Sequence, residues 1–187
     1  MVSKKVMRDL MVVLLTGFCG TVSSVANAAI NYNFDGLPVA IDYWAGSGSN
    51  EAVVVVDFGA TGGDSYAFGF EWNGIATRYD ALVAIAAAGP LEFEATDYGS
   101  MGYYIDNFQY NGESGNQSYY WQYFTSSDGS VWDSSMVGPS DRILTNGDFD
   151  GWYNSFNPGV SPTTPIPEPL TIVLLGVGGL FLRKRRA

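Results

Sequence analysis

Apolar and aromatic residues recur through the middle of the chain in short blocks that have the two-residue period of β-strands. Residues 51–59 contain four consecutive valines, which is typical of a strand buried on both faces. Residues 65–72 alternate instead, so that the aromatic side chains from Tyr66 to Trp72 share one face. The stretch 29–51 has no such period and is predicted to be irregular. Further strands are predicted at 91–97, 101–108 and 119–124, and after the turn at 146–151.

One segment departs from the strand pattern and predicts a helix that begins near Thr77. Asp80 lies three residues later, as in a capping box, although Glu or Gln is more usual at that position. Leu82 and Ile85 form an apolar stripe, and the Gly-Pro pair at 89–90 ends the helix. A helix this short needs a sheet to pack on. The predicted fold class is therefore α+β, with one short helix on a small, twisted, mostly antiparallel sheet.

The first 28 residues have the layout of a secretory signal peptide. A basic segment precedes an apolar run at 10–18, which is too short to span a bilayer easily. Small residues follow, and Ala26 and Ala28 form an A-x-A site with cleavage before Ala29. We therefore expect export by the Sec machinery and loss of residues 1–28.

The C-terminal residues 167–187 combine a proline motif, a short apolar run and a basic end. As a helix, the run at 170–182 would be about 20 Å long, short of the roughly 30 Å hydrocarbon core of a bilayer. The basic end favours the cytoplasmic side of the membrane. In order, the features are Pro167, Glu168 and Pro169, the uncharged run, and Arg183, Lys184, Arg185 and Arg186.

This tail resembles the PEP-CTERM sorting signal of Gram-negative bacteria. The resemblance implies recognition by an exosortase, transient insertion in the inner membrane and cleavage near the Pro-Glu-Pro motif. It also implies delivery to the cell surface or extracellular matrix. The alternative is an ordinary single-pass tail anchor. Residues 157–166, rich in Pro, Ser and Thr, are predicted to be an extended, flexible linker, which leaves 29–156 as the exported domain.

The charge of the exported part excludes several functions. Residues 29–166 contain two arginines against 17 carboxylates, a net charge of −15, which disfavours binding to nucleic acids. They contain no His, Lys or Cys. A Ser-His-Asp triad, a Cys-His nucleophile, a lysine Schiff base, a Cys/His zinc site and a disulfide are therefore excluded there. We expect a non-catalytic protein, structural or ligand-binding, that associates with exopolysaccharide.

Aromatic residues are the best candidates for ligand binding. An aromatic sheet face suits the stacking of sugar rings or the apolar edge of a corrinoid, with Asp and Asn side chains as hydrogen-bond partners. The alternative is that the same rings fill the core of a small β domain. The candidate ligand-binding residues are Tyr119, Trp121, Tyr123, Trp132 and Trp152.

A second resemblance covers residues 70–156. It rests on aromatic and glycine landmarks at 73–77, 80–85, 97–99, 104–108, 119–124, 138–140 and 146–152. Together these are similar to the small C-terminal β-domain of transcobalamin and intrinsic factor. That family implies a small helix-plus-sheet domain and, in its best-known members, contact with cobalamin. A corrinoid-binding module in nutrient capture is therefore an alternative function.

A partial calcium motif precedes the last predicted strand. Asn146, Asp148, Asp150 and Gly151 match the first half of a calcium loop, but Asn157 stands where a bidentate Glu is expected. The alternative is a polar turn, and we predict no metal site.

A pair of carboxylates offers the remaining catalytic alternative. Glu92 and Glu94 lie on one face of a predicted strand, about 7 Å apart. Glycosidases use such pairs of carboxylates. The alternative is that two acidic side chains on an exposed strand only increase the solubility of the protein. A carboxylate-dependent glycosidase thus stays an alternative to carbohydrate binding without catalysis.

Overall fold

A computed structural model describes residues 30–34 and 37–165 of the chain. The predicted signal peptide, the cleavage site at Ala26, Ala28 and Ala29, and the sorting tail at 167–187 lie outside the described residues. Within the described residues, no helix is both long and apolar enough to cross a membrane.

The described residues form ten strands in two sheets and one α-helix, α1, at Arg78–Ala88. Short 3₁₀ turns lie at Gly59–Thr61, Gly99–Met101 and Pro139–Asp141. The strands are β1 Ile30–Phe34, β2 Leu37–Gly46, β3 Asn50–Asp57, β4 Ser65–Trp72, β5 Glu92–Asp97, β6 Tyr103–Tyr110, β7 Glu113–Ser114, β8 Tyr120–Ser126, β9 Asp133–Ser134 and β10 Phe149–Ser155. The α+β class is confirmed, but the prediction of a single sheet is wrong.

The larger sheet has seven strands in the order β1-β2-β4-β3-β10-β8-β9, and the smaller sheet has the order β5-β6-β7. Two pairs in the larger sheet are parallel, β2 with β4 and β3 with β10. The other six of the eight pairings in the described residues are antiparallel. The sheets are therefore mostly antiparallel, as predicted, around a mixed centre.

The prediction that residues 29–51 are irregular is wrong, because they contain β1 and β2. A register shift between Ile41 and Tyr43 interrupts β2. Before the shift, Val39 and Ile41 pack on one face of the sheet, whereas Tyr43 and Ala45 pack on the other. After this bulge, the odd-numbered side chains of β2 face the opposite side of the sheet. The apolar residues of β2 therefore show no continuous two-residue alternation in the sequence.

The centre of the larger sheet is covered on both faces. Val53, Val54, Val55 and Val56 of β3 are all fully buried, as the valine run predicts. Gly69 lies in the middle of β4, where a Cβ atom would meet the Trp44 ring at 2.2 Å. A glycine is therefore required at this position for the indole to cover the strand.

Helix α1 begins as predicted. The Thr77 hydroxyl accepts from the backbone N–H of Asp80 over 3.1 Å, and the Asp80 carboxylate accepts from the Thr77 N–H over 2.7 Å. Asp80 thus completes a capping box in the place of Glu. The helix packs on the sheet through Tyr43, whose hydroxyl donates to the Ile85 carbonyl over 3.2 Å.

Aromatic side chains join the two sheets. Phe108 of β6 is fully buried, and its ring lies 4.9 Å from Trp121 and 5.5 Å from Trp152. The smaller sheet therefore packs over the β8 and β10 side of the larger sheet. A second cluster, which includes Phe149, lies on the opposite face.

The segment predicted as a flexible linker, 157–166, is held against the domain at its described end. The Thr163 N–H donates to Asp57 over 2.7 Å, and the Ala40 N–H donates to the Pro165 carbonyl over 2.9 Å. The Thr164 hydroxyl donates to the Gly129 carbonyl over 2.5 Å. Residues 163–165 are thus anchored to the folded domain by these hydrogen bonds.

Candidate ligand-binding cleft

The five aromatic residues predicted to bind ligand do not share one exposed face. Trp121 and Trp152 are 5% and 3% exposed and, with the buried Tyr123, belong to the main core. Trp132 packs edge-on to Phe149 in the cluster on the opposite face of the sheet. An open stacking platform on these rings is therefore wrong, and the alternative of core packing holds for Trp121, Tyr123 and Trp152. Tyr119 is half-buried just before β8.

The edges of three of these core rings reach a cleft between the two sheets. The cleft has a volume of about 260 Å³ and is bounded by β6, β8 and the loop 135–139. Its lining includes Tyr103, Tyr104, Trp121, Tyr123, Met136 and Trp152. We call this hollow the tyrosine cleft.

The rim of the tyrosine cleft carries exposed aromatic side chains. Tyr104 in the lining of the cleft is 42% exposed, and Tyr98, which lines a neighbouring hollow, is 54% exposed. Tyr120 is 62% exposed but lines neither hollow. A second hollow of about 340 Å³ adjoins the cleft and shares Tyr103 and Tyr104 with it. Exposed tyrosine rings at these two adjoining hollows form a surface on which a planar or ring-shaped ligand can stack.

The rim residues were missed in the sequence, although a signal for them exists. In β6, Tyr104 and Asp106 alternate with the buried Ile105 and Asn107. Strand periodicity therefore places an aromatic ring and an acid on the same outward face. This outward pairing could have singled out Tyr104, whereas nothing local in the sequence brings Tyr98 and Tyr120 beside it.

The electrostatic setting keeps Tyr104 as a neutral hydrogen-bond donor. Partial burial raises the pKa of the Tyr104 hydroxyl above its ordinary value, and the neighbouring Asp106 carboxylate raises it further. Asp106 itself accepts from the Thr96 hydroxyl over 2.7 Å. At the floor, Tyr103 is held by a parallel stack on Tyr79 with the ring centroids 4.0 Å apart.

The residues of the partial calcium motif have other partners. Asp148 and Asp150 both form ion pairs with the buried Arg78, and the Arg78–Asp148 distance is 2.6 Å. The side chain of Asn146 accepts from the Glu51 N–H over 2.8 Å. The motif is therefore part of a salt-bridged turn. Among residues 30–34 and 37–165, no group of three or more His, Cys, Asp or Glu is arranged to hold a metal ion.

Arg78 links this turn to the cleft wall. Asp150 is 2% exposed, and it accepts from the Tyr123 hydroxyl over 3.0 Å as well as from Arg78. Burial raises the pKa of Asp150 to about 6, while Arg78 and the Tyr123 hydroxyl oppose the rise. This network was not predicted from the sequence. The signal for it is the Asp-x-Asp motif at Asp148 and Asp150, which occurs in a domain that contains two arginines.

The carboxylate pair proposed for catalysis lies away from the tyrosine cleft. Glu92 and Glu94 are exposed on β5. Glu92 lines a separate hollow of about 240 Å³ at the β6–β7 hairpin, whose lining also includes Glu113. Glu113 is engaged in accepting from the Asp64 N–H and the Tyr66 hydroxyl.

No family model matches this chain, and no curated protein is significantly similar to it.

Proposed function

We propose that this chain is an exported, exosortase-sorted, non-catalytic surface protein of a Gram-negative bacterium that binds carbohydrate at the tyrosine cleft. The observation that carries the binding proposal is the pair of exposed rings, Tyr98 and Tyr104, in the linings of two adjoining hollows. Many of the large aromatic side chains of the described residues pack in the core, whereas Tyr98 and Tyr104 stay exposed at these hollows.

The chemistry of the cleft suits a sugar. The apolar face of a sugar ring stacks on a tyrosine, and its hydroxyls need hydrogen-bond acceptors and donors nearby. Asp106 supplies a carboxylate beside Tyr104, and Ser135 supplies a hydroxyl in the cleft lining. Each hollow is small, which fits one or two sugar units of a longer chain rather than an enclosed ligand.

The proposal of sorting rests on the order of features at the two ends. Export by Sec would precede transient insertion of the tail helix at 170–182 in the inner membrane. Exosortase cleavage near Glu168 would then release the domain to the cell surface or extracellular matrix. There the tyrosine cleft would hold a strand of the exopolysaccharide.

A glycan array with the full chain and its variants tests the binding proposal. Wild-type protein should be retained on a set of polysaccharides, and Tyr104→Ala and Tyr98→Ala should each weaken retention about tenfold, which corresponds to about 1.4 kcal/mol. Val131→Ala is the matched control, because Val131 is also exposed but lies in the turn after the far end of β8. Retention that is unchanged by both tyrosine variants would contradict the proposal.

A titration with cobalamin separates this function from corrinoid capture. Mixing the protein with cobalamin should leave the visible absorption of the corrinoid unchanged. A saturable spectral shift that Tyr104→Ala abolishes would assign the cleft to a corrinoid and not to a sugar.

A further inference from the structure

The tyrosine cleft and the hollow beside it are lined without charged side chains, although the domain is strongly acidic. Residues 30–34 and 37–165 contain 16 carboxylates and two arginines, and none of these lines either hollow. Asp106 of β6 neighbours Tyr104 but lies outside both linings. A charged ligand group would lose water in these hollows without gaining a counter-ion, and an anionic one would also meet the negative field of the domain. The linings therefore favour an uncharged ligand.

Exposed aliphatic side chains border the cleft beside its tyrosine rings. Met136 and Val137 line the tyrosine cleft and are 93% and 47% exposed, and Met101 lines the adjoining hollow and is 72% exposed. Tyr104 belongs to both linings. A methionine side chain is flexible and polarisable, and it adapts to the shape of an apolar group. Within one hollow, a ligand therefore meets both an aromatic ring and an aliphatic surface.

Two hydroxyl groups of the cleft lining already donate their protons within the protein. The Ser135 hydroxyl donates to the Val137 carbonyl over 2.8 Å, and the Tyr123 hydroxyl donates to Asp150 over 3.0 Å. Neither proton is free for a ligand. A ligand hydroxyl that enters the cleft therefore gains fewer hydrogen bonds than it makes in water, whereas a methyl group loses none.

We infer that the tyrosine cleft binds an uncharged glycan at a 6-deoxyhexose unit, a sugar with a methyl group in place of the C6 hydroxymethyl group. This inference rests on the proposed carbohydrate binding and adds the class of sugar. The sugar ring stacks on Tyr104, and its methyl group packs against Met136 and Val137, which line the same hollow. The ring hydroxyls face the rim, where Asp106 neighbours Tyr104 and can accept from them.

Two pairs of matched sugars test the inference. The full chain is titrated with the methyl glycosides of L-fucose and L-galactose, and with those of L-rhamnose and L-mannose. The members of each pair differ only at C6, where the first has a methyl group and the second a hydroxymethyl group. Binding is followed by tryptophan fluorescence, because Trp121 and Trp152 line the cleft. In at least one pair, wild-type protein should bind the deoxy sugar about tenfold more tightly, as expected for a small apolar group in a pocket.

Two variants locate the preference at the loop 135–139. Met136→Ser removes the aliphatic surface and should reduce the preference for the deoxy sugar to less than about threefold, while the affinity for the hydroxymethyl sugar is kept. The highly exposed Met136 side chain makes this variant safe for folding. Ile75→Ser is the matched control, because Ile75 is also highly exposed but lies outside both linings, and it should leave the preference unchanged.

The outcomes separate this inference from the proposed function. Equal binding within both pairs, or a preference that survives Met136→Ser, overturns this inference alone. If no glycoside binds measurably, the glycan array decides. Retention on glycans with a deoxyhexose that Met136→Ser weakens supports the inference, and retention confined to glycans without one overturns it. If the array shows no retention at all, the proposed function fails and the inference fails with it.

Discussion

The Tyr123 hydroxyl donates to the Oδ1 atom of Asp150 over 3.0 Å, and the same oxygen also receives the Arg78 guanidinium. Tyr123 belongs to β8, Asp150 to β10 and Arg78 to the first position of α1. One carboxylate oxygen therefore joins the helix start to two central strands beneath the tyrosine cleft.

The first prediction concerns the removal of the buried cation. Arg78→Met leaves Asp150 buried without its charge partner, and the breaking of such a pair costs about 3–5 kcal/mol. Urea unfolding should show a loss of this size. Arg142→Met is the control, because the half-buried Arg142 side chain makes one long hydrogen bond within the described residues, and the variant should cost about 1 kcal/mol or less. Equal losses in the two variants would contradict a structural role for the Arg78 network.

The second prediction concerns the pH dependence of stability at Asp150. Because burial raises the pKa of Asp150 to about 6, the folded protein binds this proton more tightly than the unfolded chain, in which aspartates titrate near 3.9. The group thus contributes stability that is complete below about pH 4 and is lost as the pH rises through about 6.

The measurement is the unfolding free energy of wild type minus that of Asp150→Asn, followed from pH 4 to pH 7. This difference should decrease as the pH rises, by up to about 3 kcal/mol, and level off above pH 7. An increase over the same interval would mean that Arg78 holds the pKa of Asp150 below its ordinary value, contrary to our account.

The third prediction concerns the junction of the two sheets. Phe108→Ala removes a fully buried ring that contacts Trp121 and Trp152, and it should destabilise the protein by about 3–5 kcal/mol. Gln109→Ala is the matched control, since Gln109 is the next residue of β6 and is exposed. If both variants unfold at the same urea concentration, the sheets do not share the core described above.

The fourth prediction concerns calcium. Because Asp148 and Asp150 are bound to Arg78, we expect the melting temperature to be the same with EDTA and with millimolar calcium. A rise in the melting temperature with calcium that Asp148→Asn abolishes would restore the calcium-loop interpretation.

Local signals in the sequence were sufficient for several elements of the fold. The helix follows from Thr77 and Asp80 at its start and the Gly-Pro pair at its end, and β4 follows from its alternating aromatics. In these cases the residues that define the element are neighbours in the chain, so their spacing carries the information.

Elements that depend on distant partners could not be predicted in the same way. The bulge after Ile41 hides the periodicity of β2, and the parallel pairing of β10 with β3 joins Phe149 to Val53 across most of the domain. The tyrosine cleft has the same origin, because Tyr104 of β6 and Trp121 of β8 line it together only when the smaller sheet packs on β8. Residue types at the cleft were therefore predictable as aromatic, but their exposure was not.

The central claim is that the protein is exported and loses both ends before it works at the cell surface. Mass spectrometry of the protein recovered from the surface and matrix fractions of its own host tests this claim most directly. We predict an N-terminus at Ala29 and a C-terminus near Glu168, and retention of the tail in Glu168→Ala. Recovery of the intact chain from Met1 to Ala187 in the cytosol would contradict the account.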